Sequence, residues 1–271
     1  MELDNGAFRN LLKAVHSSYG YDFTGYAEAS VKRRIIHYMG MHRINELADL
    51  QSLILRDENI FRDFLQELSV TVTEMFRDPG FYKSLREKVV ERLATYPFIK
   101  VWVAGCATGE EVYSLAILFK EAGILDRSVI YATDINQQSL QIAKDGMYDA
   151  SSMKAYTGNY QKSGGTGSFS QYYMSKYNSV MFDRSLKQNI VFSAHNLAMD
   201  KAFNEFQLIL CRNVLIYFNQ ELQKRVLDLF HGSLCMFGYL GLGNKESLRF
   251  GAQQRSFEEV DRKERIYMKI K

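Results

Sequence analysis

The chain is 271 residues long, 46% hydrophobic, with a formal net charge of +3, enough for one large domain beside a smaller one. Near-balanced charge does not suggest bulk nucleic-acid binding, so electrostatic recognition must come from a local patch. Its three cysteines form no C-x-x-C pair, no apolar run approaches the roughly 20 residues of a membrane span, and the acidic start Met1-Glu-Leu-Asp4 is unlike a signal peptide; a cytoplasmic protein without disulfides, metal or membrane insertion is expected.

Residues 1–68 read as a helical module. Phe8, Leu11, Leu12 and Val15, then Ile60, Phe61, Phe64, Leu65 and Leu68, recur at helical spacing, and no strand pattern interrupts them. Between them Val31, Ile35 and Met39 form an inner stripe, with Lys32, Arg33, Arg34 and His37 off it as a basic helix face. Residues 1–80 hold nine Lys/Arg against twelve Asp/Glu, so the basic cluster is local; it reads equally as an ordinary solvated surface. Residues 69–98 form a linker and linking helix. Ser69-Val-Thr-Val-Thr-Glu-Met-Phe-Arg-Asp-Pro-Gly80 carries turn and breaker chemistry and leads into a helix from about Phe81 to Leu93.

Over residues 99–271 strands and helices alternate, the pattern of a parallel doubly wound sheet. Strands are predicted at Ile99 to Ala104, Val129 to Thr133, Ile190 to Ser193, Leu208 to Cys211 and Tyr239 to Leu242, with Arg265 to Ile270 closing the sheet. Residues 156–183 interrupt the alternation. Tyr156 to Ser168 is too rich in glycine and polar residues for a helix, and Tyr172 to Phe182 can pair as short strands, which makes an inserted subdomain; a polar connection without function is the plainer alternative.

The most informative stretch is the turn after the first strand, Ala104-Gly-Cys-Ala-Thr-Gly-Glu-Glu111. Gly105 and Gly109 remove Cβ atoms where a ligand approaches the backbone, as in nucleoside-binding turns. The spacing matches neither G-x-G-x-x-G nor a P-loop. Helix N-termini attract phosphate, and Glu110 with Glu111 would repel it there, so a ligand without phosphate is favoured. S-adenosylmethionine fits: an adenosine, a sulfonium and an amino-acid end. Asp134, at the end of the second strand, is placed to hold ribose hydroxyls, or else caps the helix starting near Gln137.

Taken in order, Thr71-Val-Thr-Glu-Met-Phe-Arg-Asp-Pro79, the Ala104 to Glu111 turn, Ala132-Thr-Asp-Ile135, His195-Asn-Leu197 and Cys211-Arg-Asn-Val-Leu-Ile-Tyr-Phe218 resemble the chemoreceptor glutamate methyltransferases, CheR, over nearly the whole chain. The resemblance implies a Rossmann-like α/β methyltransferase sheet, an all-helical N-terminal receptor-recognition domain and a small inserted antiparallel β-subdomain. It implies methyl transfer from S-adenosylmethionine, leaving S-adenosylhomocysteine, to glutamates on the cytoplasmic helices of chemotaxis receptors, by a monomer. Carried over by residue, the cofactor contacts are Thr71, Thr73, Arg77, Gly105, Glu110, Glu111, Asp134, Asn196, Leu197, Arg212 and Asn213, while Arg77 and Tyr217 serve the reaction.

Three departures stand out: Thr71 replaces the usual Asn, Val112 the usual Pro, and the Gly164 to Gly167 loop is longer and poorer in arginine. Some family members hold a receptor's C-terminal tail peptide on the β-subdomain; that partner is left open here.

A glutamate is already ionised near neutral pH, so alignment rather than a strong base is what the site must supply. Arg77 and Tyr217 suit alignment, although Tyr217 lies in the apolar run Val214 to Phe218 and reads also as a packed tyrosine. His195 reads as a strand-end residue. Competing readings are a catalytically silent S-adenosylmethionine sensor and a methyltransferase for another substrate. Nucleic-acid amino-methylation is disfavoured, because Pro79 and Pro97 are the chain's only prolines and supply no Pro-Pro-aromatic run.

Overall fold

The computed structural model describes residues 3–69, 72–250 and 254–271. Capping and stripe chemistry set the amino-terminal helices. The first, α1 (Asn5–Tyr19), begins where the Asp4 carboxylate accepts the Ala7 amide and ends at Gly20, whose φ of 76° favours glycine. Next, α2 (Glu28–His42) buries the expected Val31, Ile35 and Met39 together with Tyr38. After α3 (Leu47–Arg56), Asp57 caps α4 (Glu58–Leu68), which buries Phe61, Phe64, Leu65 and Leu68. These stripes meet in a core of their own, with Tyr19 stacked flat on Phe61 at 3.7 Å.

The helix expected from Phe81 to Leu93 is broken at Val89 into α5 (Pro79–Lys88) and α6 (Val90–Leu93). Then β1 (Ile99–Ala104), α7 (Glu110–Glu121), β2 (Ser128–Asp134) and α8 (Gln137–Asp145) make the first βαβα run. A detour follows through β3 (Met147–Asp149), α9 (Met153–Lys162), β4 (Tyr173–Lys176) and β5 (Ser179–Phe182). Beyond α10 (Arg184–Lys187) come β6 (Ile190–Ala194), β7 (Phe206–Cys211), α11 (Gln220–Ser233), β8 (Leu234–Leu242), β9 (Phe257–Asp261) and β10 (Ile266–Lys269).

The large sheet has the order β6-β2-β1-β7-β8-β10-β9. Strands β6 to β8 run parallel, and β10 is antiparallel to both its neighbours. The expected last strand is therefore interior, and β9 takes the edge. Phe257-Glu-Glu-Val-Asp261 carried no strand signal because an edge strand tolerates charge. Residues of β1 alternate between the faces: Val101 and Val103 join one core, Trp102 and Ala104 the other. At the carboxyl edge the turns after β1 and β7 lie side by side where the winding reverses, the place where such sheets bind ligands.

The detour differs from expectation in its first half. Residues 153–162 are helical because Met153, Tyr156 and Tyr160 recur on one face and are buried. Gly165 follows from Tyr160, since a Cβ there would lie 2.3 Å from its ring. Its hydroxyl donates to Glu121, which also accepts the Tyr172 hydroxyl. The short strands expected between Tyr172 and Phe182 do pair, and they recruit β3 to give the antiparallel order β3-β5-β4.

One cross-link ties the linking helix to the sheet edge. Asp261 accepts Lys88 Nζ and Ser84 Oγ at 2.7 Å each and the Glu264 amide at 3.1 Å. Burial opposes ionisation of Asp261, but these donors outweigh it and pull the carboxyl down to about 2. A carboxyl depressed in the folded state adds stability above its unfolded value, near 3.9, and loses it as pH falls through about 2. Asp261→Asn should therefore cost roughly 1–2 kcal/mol at neutral pH, with the difference in urea denaturation shrinking as the solution is acidified toward the folded value.

Candidate active site

The turn after β1 is pinned to the end of β2. The Gly105 and Cys106 amides both donate to the Thr133 carbonyl, at 2.8 and 2.9 Å. Ala107, strained at φ 46°, donates its amide to Asp134 Oδ2 at 2.8 Å, while Asp134 Oδ1 accepts the Asn136 amide at 2.9 Å. Asn136 caps α8, accepting the Gln138 and Ser139 amides, so Asp134 is not that cap. Burial raises the Asp134 carboxyl above its usual value, although these amides work in the opposite direction.

The glycines have different tasks. Gly105 (φ 76°) lines the cavity, and a Cβ there would meet Val214 Cγ2 at 2.5 Å. Gly109 (φ 96°) is turned away from it, its missing Cβ making room for Ala143 of α8 at 2.8 Å. Helix packing, not ligand approach, explains Gly109.

The two glutamates also separate. Glu110 was expected at the cofactor, but its side chain turns inward: it is 6% exposed, accepts Thr108 Oγ1 at 2.6 Å and does not reach the cavity wall. Burial pushes its carboxyl up. Glu111 does face the cavity, where its Oε1 accepts Arg212 Nη1 at 3.0 Å. The Arg212 side chain, only 2% exposed, also donates to Asp78 Oδ2 at 2.9 Å and the Arg77 carbonyl at 3.0 Å, and lies 4.1 Å from the centre of the Phe81 ring. One guanidinium thus joins the carboxyl end of β7, the linker and the start of α7.

Arg77 extends from the linker into the cavity wall, with Nη1 donating to the Val72 carbonyl at 3.0 Å. Its neighbours Phe76 (φ 51°) and Asp78 (φ 54°) are both left-handed, so its direction is bought with backbone strain. Thr73 lines the same cavity, and Thr71 lies outside the described residues.

After β7, Asn213 is left-handed at φ 62° and its amide donates to Glu246 Oε2 at 3.0 Å. Glu246 also accepts the Gly243 and Ile216 amides at 2.6 and 3.3 Å and so shapes the turn that carries Tyr217. Sequence reasoning missed Glu246: a lone carboxylate after a strand has no periodic signature. Tyr217 is half-buried on the cavity wall. Burial raises its hydroxyl, and Arg34, Arg77 and Arg33 pull it back. Ser69 and Val72 of the cavity wall also adjoin Arg34, so the basic face of α2 lies beside this mouth.

Asn196 and Leu197 complete the wall. Asn196 Oδ1 accepts the Ala198 amide at 2.9 Å, leaving its amide N–H groups free of partners among the described residues. His195, set aside as a strand-end residue, lines the cavity with a buried Nδ1 that has no partner among the described residues.

The cavity and its open mouth enclose about 970 Å³, ample for a nucleoside-sized ligand. An S-adenosylmethionine fits the donor set. Asp134 keeps acceptor capacity for ribose hydroxyls, Ile135, Leu197 and Val214 offer apolar surface to a base, and Glu111 presents a carboxylate to the cationic end. Tyr26, Cys106 and Val214 also line the cavity and were not anticipated.

Residues 71–266 match the model for the CheR methyltransferase SAM binding domain, and residues 6–69 that for the CheR methyltransferase all-alpha domain. A Pseudomonas putida protein provisionally named methyltransferase Cher3 is 49% identical over 261 residues, 96% of each chain. The chemotaxis protein methyltransferase of Salmonella typhimurium is 26% identical over 258 residues, covering 91% of this chain and 85% of its own. A 104.1 kDa Rhodobacter capsulatus protein is 32% identical over 250 residues, which is 89% of this chain but 25% of that protein.

Ribose hydroxyls donate to an ionised carboxylate, so S-adenosylhomocysteine should bind the ionised form of Asp134. Because burial raises this carboxyl in the free protein, affinity should fall as pH drops through that raised value, beginning above the usual carboxylate range. Asp134→Asn should bind roughly 10- to 100-fold more weakly, the weight of hydrogen bonds to a charged group, and show no such pH dependence. Calorimetry across pH checks both; equal affinity in the variant would remove Asp134 from the cofactor site.

Proposed function

The chain belongs to the CheR methyltransferase family and is an S-adenosylmethionine-dependent methyltransferase, and we propose that its acceptors are glutamate side chains on the cytoplasmic helices of chemotaxis receptors, which it converts to methyl esters as a cytoplasmic monomer. The observation that carries this reading is the mouth of the cavity, where the Tyr217 hydroxyl lies in the field of Arg34, Arg77 and Arg33. A phenol donor that shares the cavity wall with Arg77 and lies in this positive field favours an anionic acceptor. A neutral small molecule would gain nothing from it.

When bound, S-adenosylmethionine supplies an electrophilic methyl group, whose transfer to a carboxylate oxygen forms the ester C–O bond while the C–S electron pair returns to sulfur. The chain's own residues need only hold the acceptor. Glutamate is ionised near neutral pH, so no proton has to be removed. Arg77 can grip the carboxylate through its planar guanidinium, and Tyr217 can donate one hydrogen bond without adding a charge near the sulfonium. Alignment of this kind accounts for several kcal/mol of barrier lowering, up to about 7–11 in ideal cases.

Docking follows the charges on α2. Lys32 is paired with Glu28 and Arg34 with Glu67, while exposed Arg33 has no ion pair among the described residues. Receptor helices bearing methylatable glutamates are acidic, so this face supports encounter and orientation.

Incubation with methyl-labelled cofactor and a receptor cytoplasmic fragment should give label released by mild base, as a carboxyl methyl ester is. Label stable to base would exclude esterification. Tyr217→Phe should lower kcat by about tenfold with KM for receptor little changed; full activity would make it a packing residue. Reversing Arg33 and Arg34 to Glu should raise KM for receptor and abolish its salt dependence, leaving cofactor affinity intact. Wild-type kinetics at low salt in that variant would put the docking surface elsewhere.

A further inference from the structure

Tyr26 belongs to the helical domain, yet its side chain forms part of the cofactor cavity wall. A short strap brings it there. The Ala27 amide donates to the Tyr217 carbonyl at 2.8 Å, the Asn219 amide to the Gly25 carbonyl at 2.9 Å, and Tyr26 faces Phe218 as an antiparallel bridge. The two rings meet edge to face at 4.9 Å. Gly25 is needed because a Cβ there would lie 2.9 Å from Leu222 Cδ2. Tyr26 packs against the helical core and against the core on one face of the large sheet, so its ring is fixed from both sides.

Its polar end is not accounted for by the protein. Tyr26 is half-buried, and its hydroxyl makes no hydrogen bond among the described residues, so it is free to serve a ligand in the cavity. Burial, then the Asp134 and Asp22 carboxylates, raise its pKa, so it stays a protonated donor at any physiological pH. The helical domain meets the β2 end of the cavity, where Ser69 Oγ accepts Asn136 Nδ2 at 2.7 Å, and Asp134 is the foremost charge acting on the Tyr26 hydroxyl, so this residue belongs to the end suited to ribose rather than the Glu111 end.

We propose that the helical domain supplies Tyr26 to the nucleoside end of the cofactor subsite, where its hydroxyl donates a hydrogen bond to the ribose or adenine of S-adenosylmethionine. This rests on the cofactor assignment and is independent of which carboxylate is methylated. Sequence carried no trace of it, because Tyr26 lies outside every motif that frames the cavity.

The test is calorimetric titration of the full chain with S-adenosylhomocysteine and with adenosine, which lacks the amino-acid end. Tyr26→Phe removes only the oxygen, and near-ultraviolet circular dichroism at the titration temperature establishes that the variant is folded. Both ligands should bind roughly 5- to 10-fold more weakly to it, the effect of one neutral hydrogen bond. Unchanged affinity for S-adenosylhomocysteine overturns the proposal. Weakened S-adenosylhomocysteine with unchanged adenosine also overturns it, since the contact would then lie at the amino-acid end. Failure of the wild type to bind S-adenosylhomocysteine would instead overturn the cofactor assignment.

Discussion

The buried guanidinium of Arg212 is the interaction around which the site is organised. It is held between the carboxylates of Glu111 and Asp78 and against the Phe81 ring. These partners come from the linker, the linking helix and the helix after the glycine turn, so one side chain fixes the mutual position of segments more than a hundred residues apart. Burying an arginine is tolerable only when its charge is paired, and here Nη1 and Nη2 are both used, while Nε has no partner among the described residues. With Asp78 set behind the wall against the guanidinium, Glu111 is the carboxylate of this cluster that faces the cavity, which suits a cationic cofactor better than a phosphorylated one. Of the glutamate pair, only Glu111 therefore stands where it would oppose a phosphate.

Strain is concentrated at the same place. Phe76, Asp78, Ala107 and Asn213 are all non-glycine residues in the left-handed region, and all border the cavity residues. Three of them are held through their own amides: Phe76 to Ser114, Ala107 to Asp134, and Asn213 to Glu246. Asp78 is instead fixed through its side chain by Arg212. Such conformations persist because their surroundings over-determine them, and they orient Arg77 and Tyr217 without leaving the choice to solvent.

What the sequence made legible follows from how locally each feature is encoded. The parallel strands were readable because burial on both faces makes them continuous apolar runs, and the helical stripes because their period is intrinsic to the chain. Asp134, Glu111, Arg77 and Tyr217 were found through motifs and do converge on one cavity. Side-chain direction was not encoded that way. Glu110 and Glu111 are adjacent, yet one helix turn geometry sends the first inward and the second to the ligand. Gly109 serves Ala143, thirty-odd residues away, and α9 was masked by a glycine-rich stretch of which Gly165 makes room for the Tyr160 ring. Glu246 and Tyr26 are invisible for a related reason: each acts through a contact made only after distant segments have packed.

The strap formed by Gly25 to Ala27 against Tyr217 to Asn219 has a thermodynamic consequence. It leads directly into α2, so the helix that presents Arg33 and Arg34 starts one residue beyond the backbone that holds Tyr217. Under the docking proposed above, a connection of this kind would let occupancy of one site bias the other. Whatever factor a docked protein contributes to cofactor affinity, the cofactor must return to the docking equilibrium, because the two differences close the same cycle. Severed from its helical partner, the α/β domain would keep most of its cavity wall but lose the lever through which the two equilibria communicate.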